Sequence, residues 1–283
     1  MMKVKFHSQT ESEDCNMNFY ISAEELAQRK HINFSVDLDE SGLLISSCPQ
    51  EIVTPTLVQQ PAAGLLTDLN HLTWGELDAI GRSKKARQQI AVGAVKTDHM
   101  KNGFAAEYRI IGFDHDDLAD GSGKAPFSWE AVRIYKERRP WNSECTNEGG
   151  WDKSELRQWL NSEFLALCSD ELQAVIRPVV KLTSAGGRSK EIVKSVDRIF
   201  ILSEKEVYGR VAYSVPGEGS WYEYYRLEDV PYFALDEDGD PCSSGLRSPY
   251  YYGNVTFCSV YDDGNIGNYY ASWSAGVRPG FSF

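Results

Sequence analysis

No stretch of this sequence approaches the run of about 18–20 apolar residues that a helix needs to cross a bilayer, which excludes a membrane-spanning helix. Cations are scarce: 29 Lys and Arg stand against 41 Asp and Glu, a formal net charge of −12. Phosphate backbones are held by clustered Lys and Arg, so this deficit argues against a nucleic-acid partner. The opening residues Met1 to Ser8 are followed by the polar run Gln9 to Asp14, with no apolar core of about 7–15 residues such as a secretory signal carries. The expectation is a chain that stays in the cytoplasm or leaves it packaged in a virion, such as a phage tail.

The six cysteines (Cys15, Cys48, Cys145, Cys168, Cys242 and Cys258) form no Cys-x-x-Cys, and no histidine stands at metal-ligand spacing. That disfavours a zinc site or a redox dithiol and leaves reduced thiols, mostly buried as small apolar groups. The Gly-x-Ser-x-Gly pattern of a nucleophile and phosphate-cradling loops are absent, and all five histidines (His7, His31, His71, His99, His115) lie in the first 115 residues. Asp114, Asp116, Asp117 and Asp120 precede Gly121, but at position 8 rather than position 6 of a calcium loop. In the run Asp236 to Asp240, Gly239 falls at position 4. Both read as solvated acidic loops. No catalytic residue, no metal and no cofactor is expected.

Helix and strand signals are nonetheless plentiful. Residues 31–38 alternate polar and apolar, Asp39-Glu40-Ser41-Gly42 signals a turn, and Leu43-Leu44-Ile45 returns as a second strand. Ser22 and Glu25 form a capping box for a helix through Lys30. Residues 61–68 read as a linker, separating a small β-rich module (1–60) from a larger domain (69–283). In that domain Thr73 caps a helix carrying Trp74, Leu77 and Ile80, and residues 108–113 form a strand. After Gly149-Gly150, Asp152 and Glu155 cap a helix with the stripe Leu156, Trp159, Leu160 and Phe164. Asp170 to Ile176 is a further helix, and residues 199–203 a buried strand. From Trp221 onward, short strands alternate with Gly, Asp, Asn and Pro. The class is α+β.

The C-terminal segment 247–283 differs in palette from everything before it. It holds Tyr250, Tyr251, Tyr252, Tyr261, Tyr269 and Tyr270, with Asn254, Asn265, Asn268 and Trp273, yet no Lys, Glu, Gln or Met. Tyr with Ser, Gly and Asn is the composition of antibody paratopes, in which rigid aromatic area combines with adaptable hydrogen bonding. Adjacent strand residues point to opposite faces, so the run Tyr250-Tyr251-Tyr252 cannot pack inward as a whole. Six half-covered tyrosines would contribute about 500–700 Å², near the ~800 Å² per partner of a standard interface. Cys258 and Val260 alternate with Ser259 and Tyr261, which predicts one apolar and one contacting face, and Asp262-Asp263-Gly264-Asn265 predicts a hairpin turn.

Four blocks in order resemble one family: residues 110–121 (IIGFDHDDLADG), 149–157 (GGWDKSELR), 245–249 (GLRSP) and 276–281 (GVRPGF). The family comprises bacterial and phage proteins with a C-type-lectin-like domain of the formylglycine-generating-enzyme subgroup, some of them variable proteins of diversity-generating retroelements. The resemblance covers about residues 69–283 and implies a C-type-lectin-like fold. In such systems adenines of the 3′ end are randomised. Asn codons of the AAC type then become codons for Tyr, Ser, Asp, Gly, Thr, Ala, Ile, Cys and others, never Lys, Glu, Gln, Met or Trp. Trp273 departs from that rule.

The resemblance implies displayed positions at Tyr250, Tyr251, Tyr252, Gly253, Asn254, Thr256, Ser259, Tyr261, Gly267, Asn268, Tyr269, Tyr270 and Ala275. It implies a frame of Leu246, Arg247, Pro249, Phe257, Val260, Gly264, Gly276, Val277, Pro279 and Phe281. The expected ligand contacts are Tyr250, Tyr251, Tyr252, Asn254, Ser259, Tyr261, Asn268, Tyr269, Tyr270 and Trp273. The expected partner is a protein or surface glycan on another cell, with the N-terminal module docking on a larger assembly. An enzyme related to formylglycine-generating oxidases, or a structural virion or surface component, is the alternative. The animal-lectin calcium and sugar motifs are missing, and Cys242 and Cys258 lie in unrelated contexts, so neither activity follows from the fold.

Overall fold

A computed structural model describes residues 64–283 together with the backbone of two strands before them. The chain divides into two compact units, Met1–Leu57 and Val58–Phe283. In the first, β1 (Ser35–Asp39) and β2 (Gly42–Ser46) pair antiparallel, Ser35 opposite Ser46 and Asp39 opposite Gly42. This is the hairpin that the turn signal predicts. The helix expected through Lys30, along with Cys15 and Cys48, lies outside the described residues.

In the second unit, the end of the expected linker is a strand. β3 (Leu66–Asp68) runs parallel to β4 (Ile90–His99), and Leu69 just beyond it is fully buried. Leu66 packs against the core and Leu69 belongs to it, so this part of the expected linker is within the folded unit. Between these strands lies α1 (Trp74–Arg82), where Thr73 Oγ1 accepts from the Glu76 N–H and the Glu76 carboxylate accepts from the Thr73 N–H at 2.7 Å. This reciprocal cap satisfies two otherwise orphaned donors. After α2 (Ala86–Gln89), strands β4, β5 (Ala105–Phe113) and β6 (Phe127–Ala131) are antiparallel neighbours.

Instead of the single helix expected after Gly149, there are two, α3 (Gly150–Lys153) and α4 (Glu155–Trp159). Gly150 has φ +57°, and a Cβ there would stand 2.1 Å from the Ser184 carbonyl oxygen, so only glycine permits the approach. Starting at Gly150 places Asp152 inside α3. Ser154 becomes the cap of α4, and the Glu155 carboxylate turns to Ser143, at 3.1 Å from its nitrogen and 2.6 Å from its hydroxyl. The predicted caps at Asp152 and Glu155 are therefore wrong, while the stripe of Leu156, Trp159, Leu160 and Phe164 is buried as predicted. A π-helical turn (Leu160–Phe164) carries the chain into α5 (Leu165–Leu167), followed by α6 (Asp170–Val175) capped by Ser169.

β7 (Val179–Ser184) and β8 (Ile192–Asp197) form an antiparallel pair. Residues 199–203 are fully buried but belong to no ladder; only Phe200 bridges, to Gly280. Burial alone accounts for that apolar run, and strand pairing does not accompany it. Next come α7 (Glu204–Tyr208) and the short pair β9 (Ala234–Leu235) and β10 (Pro241–Cys242). The segment of interest then forms β11 (Ser244–Pro249), β12 (Thr256–Val260) and β13 (Ile266–Tyr270), a three-stranded antiparallel sheet with β12 central. The last strand, β14 (Gly280–Ser282), joins the main sheet in the order β14-β6-β5-β4-β3.

Phe281 lies opposite Trp129, whose ring stacks against both Phe281 and Phe283 at 6.1 and 5.9 Å, while Trp74 meets it edge-on at 5.3 Å. Burying each phenylalanine contributes about 1.5–3 kcal/mol, so the last residues of the described chain are anchors of the core. The architecture is α+β.

Candidate functional site

The frame of the aromatic segment is built on buried charge. Arg247 in β11 is fully buried and grips both Glu206 oxygens from α7, Nη2 at 2.7 Å, with further bonds to Thr183 Oγ1 and the Ile201 carbonyl. Lys181 in β7 links Glu206 at 3.1 Å to Asp116 at 2.8 Å. Asp116 also accepts from Ser128, Ser282 and Tyr222. Burial alone would raise the Asp116 and Glu206 carboxyls, but Lys181 on the first, and Arg247 with Lys181 on the second, hold them below the ordinary range. One chain of ion pairs thus ties β11, α7 and β7 to Asp116, and the hydroxyls of Ser128 and Ser282 extend it to β6 and β14. Asp116 is therefore no part of a solvated acidic loop; its partner Lys181 and the hydroxyls around it come from distant sequence.

Glu218 completes this frame without a cation on its carboxylate. It accepts from the Ser184 N–H at 2.8 Å and from the Ser248 hydroxyl, while Arg247 reaches only its backbone carbonyl. Burial pushes its carboxyl from an ordinary 4.5 up to about 7. A raised acid stabilises the fold fully below its unfolded value, and that contribution is lost as pH rises through about 7. Denaturant unfolding should show wild type losing at most about 3 kcal/mol relative to Glu218→Gln between pH 5 and pH 8. Parallel pH profiles for the two proteins would contradict this assignment.

The loop carrying Tyr250, Tyr251 and Tyr252 hangs on Asn147, which is fully buried. Its side-chain amide nitrogen lies 3.3, 3.1 and 2.8 Å from the carbonyls of Tyr250, Gly253 and Thr256. Its backbone N–H donates to the Asn254 carbonyl at 2.8 Å, and its Oδ1 accepts from the Gly187 N–H. On the other side the Tyr251 N–H donates to the Tyr213 carbonyl, and the Tyr213 ring meets Tyr250 edge-on at 5.5 Å. Tyr213 is itself seated by Glu204, whose carboxylate accepts from the N–H groups of Ala212, Tyr213 and Ser214. Lys190 lies 5.5 Å over the Tyr251 ring. Asn147, Tyr213, Lys190 and Glu204 were not singled out from sequence; each lies far from the segment it supports, and no local spacing marks them.

On this mount the rings face outward to differing degrees. Tyr252 is 62% exposed, Trp273 57% and Tyr270 43%; with Val196 these are the exposed large apolar side chains among the described residues. Tyr270 and Trp273 pack against one another at 4.8 Å. Asn254 is exposed, and Tyr250, Tyr251, Tyr261, Asn268 and Tyr269 are half-buried. The Tyr252 loop adjoins the Tyr270 pair through backbone bonds, Tyr250 N–H to the Thr256 carbonyl and Ala271 N–H to the Val255 carbonyl.

Four expected display positions are not on the surface. Ser259 is fully buried with its hydroxyl unpartnered, and Thr256, Gly267 and Ala275 are buried as well. The alternation through β12 suggests an outward face, but a central strand is covered on both sides. Phe257 stacks on Trp141 at 5.2 Å, while Cys258 and Val260 are buried on the opposite face. All the frame residues except Gly264 are buried.

Other chemistry-bearing groups lie elsewhere. An open hollow of about 280 Å³ is lined by Arg87, Phe113, His115, Trp221, Glu223 and Arg226. Arg87 is paired with Glu223 at 2.8 Å. His115 stacks on Tyr222 and meets the Ser220 hydroxyl at 3.2 Å, but Asp116 is committed to Lys181, so no carboxylate hydrogen-bonds the imidazole to orient it as a base. Among the described residues no three His, Cys, Asp or Glu side chains converge as a metal site, and no helix is long and apolar enough to cross a membrane. Four described cysteines are free: Cys145 is exposed, with its thiol 3.7 Å from the Val255 carbonyl, and Cys168, Cys242 and Cys258 are buried. Burial pushes the Cys168 thiol up to about 12 and raises Cys242 and Cys258 as well, so none of the three is primed as a thiolate.

Fold and surface together define an α+β domain whose C-terminal segment holds a buried ionic frame under exposed aromatic side chains. Residues 129–283, more than half of the chain, match the family described as a domain of unknown function (DUF6273), and the chain belongs to that family. The matched region runs from β6 to β14 and includes the Arg247–Glu206 pair, Asn147 and the whole aromatic segment. No curated protein and no solved structure matches the chain.

Proposed function

We propose that this is a non-enzymatic, receptor-binding protein that presents the Tyr-rich face of residues 250–273 to a protein or surface glycan on another cell. The observation that carries the reading is the contrast between frame and face. Among the described residues, three of the four exposed large apolar side chains fall within this short segment, while Asn147, Glu204 and Arg247, which hold it, are buried. Exposed aromatics of this density are costly in water unless a partner covers them, and clustered Tyr and Trp are the residues that dominate interface energies.

The finer fold reading is a C-type-lectin-like domain of the formylglycine-generating-enzyme subgroup. It is supported by the way the four motif blocks gather around one core. Ile110 pairs with Trp129, which pairs with Phe281; the Gly245 N–H donates to the Gly276 carbonyl; and α3 packs against β11. Diversification by a retroelement, and carriage on a phage tail through the N-terminal module, complete the proposal. The absence of Lys, Glu, Gln and Met from residues 247–283 supports the first of these. A near-copy of the gene's 3′ end differing only at adenines, beside a reverse-transcriptase gene, is the expected genomic context.

Binding is tested with the fluorescently labelled full chain on a panel of intact bacterial cells. Wild type should stain a subset of the panel, and the triple variant Tyr252→Ala, Tyr270→Ala, Trp273→Ala should stain none of it while remaining folded. Equal staining by both proteins would refute the assignment of the face.

A further inference from the structure

Gly267 occupies a place no other residue can take while Tyr261 stays where it is. A Cβ built on Gly267 would stand 2.1 Å from Tyr261 Cζ and 2.4 Å from both Cε atoms. Carbon atoms in contact settle at about 3.5–4.0 Å, so the ring and any side chain at 267 exclude one another. The glycine serves this close approach alone, since its backbone is not in the left-handed region. The hairpin returns Tyr261 over the strand that follows it, edge-on to Tyr269 at 5.6 Å.

The hydroxyl of that ring adds a second constraint. It lies 3.4 Å from both the backbone nitrogen and the carbonyl oxygen of Asn268, long contacts that orient the ring more than they strengthen it. β13 is an outer strand of its sheet, and Asn268 turns these two groups toward the free edge. The phenol therefore covers part of an edge that would otherwise present an unpaired donor and acceptor.

We propose that Gly267 and Tyr261 form a single specificity-determining unit: residue 267, buried and out of reach of any ligand, sets whether Tyr261 lies flat along β13 or stands out from the face. The geometry is independent of the ligand-binding reading, but its consequence for recognition rests on that reading. With glycine at 267 the face is low at this point and the Asn268 edge is closed. With any side chain at 267 the phenol swings outward, the edge opens, and the contour offered to a partner changes although no contacting residue has been replaced. Positions 261 and 267 then vary as a pair, an aromatic ring at 261 requiring glycine at 267.

Tyrosine nitration by tetranitromethane, mapped by mass spectrometry on the full chain, reads the device directly. In wild type Tyr261 should react several-fold more slowly than Tyr252, and in Gly267→Ala at nearly the same rate, with Tyr252 unchanged. Equal Tyr261 rates in the two folded proteins would overturn the proposal. A double-mutant cycle covers the case in which Gly267→Ala melts early: Gly267→Ala should cost nothing in a Tyr261→Ala background, and an undiminished cost there would overturn it. Single-domain antibodies selected on the wild-type face supply the recognition arm. Those whose footprint includes Tyr269 should lose about tenfold or more in affinity for Gly267→Ala, while antibodies against α1 keep theirs. Unchanged affinity in both groups would refute the specificity claim. Failure of the cell-staining experiment alone would leave the nitration result standing and would count against the receptor-binding reading only.

Discussion

Arg247→Ala is expected to destabilise the second unit by about 3–5 kcal/mol, enough to lower its melting temperature on the order of 10 °C. The loss comes less from the missing attraction than from what stays behind. Glu206 remains buried with the Ser203 N–H and a single cation, Lys181, beside it, and Lys181 is already shared with Asp116. An ionised carboxylate stranded in a dry interior costs more than the pair contributed, which is why removing both charges is milder than removing one. Arg247→Met with Glu206→Gln should therefore recover at least half of the loss. Arg247→Lys keeps the charge but not the two-pronged grip, and should fall between. Chemical unfolding of the four proteins checks the order. A double variant less stable than Arg247→Ala would contradict the account of the frame.

Asn147→Asp is the second large effect, and it acts on the face itself. The substitution keeps shape and volume but replaces an amide that donates toward three carbonyls with a carboxylate that donates toward none. Three carbonyl oxygens would then crowd a buried negative charge, at a cost of about 3–5 kcal/mol. The loop of Tyr250 to Thr256 should detach before the rest of the domain. Amide hydrogen exchange should rise by orders of magnitude at Asn147, Tyr250 and Ala271, whose N–H groups hold this loop in place, and remain slow in β5 and β6. Uniform loss of protection across the unit would show instead that Asn147 supports the whole core rather than the loop.

What could be read from the sequence was local. The capping box of Thr73 and Glu76, the hairpin around Asp39 to Gly42 and the stripe from Leu156 to Phe164 are set by neighbours within a turn or two, and the structure contains all three. The density of Tyr in residues 250–270 was equally visible, because composition survives without coordinates. What escaped depends on chain returning from far away. Asp116 looks like one of four loop aspartates until Lys181 and Ser282 close on it across 65 and 166 residues. Asn147 is an unremarkable residue before two glycines until the loop more than a hundred residues later hangs from it. Ser259 was misplaced because alternation along one strand says which residues share a face, not whether that face is covered.

The central claim is that the aromatic side chains of residues 250–273 rest on a frame that does not depend on them. Thermal unfolding of Tyr252→Ala, Tyr270→Ala, Trp273→Ala tests it most directly. The account predicts a melting temperature within a few degrees of wild type and the same denaturant dependence. A fall comparable to that of Arg247→Ala would show that these rings hold the domain together.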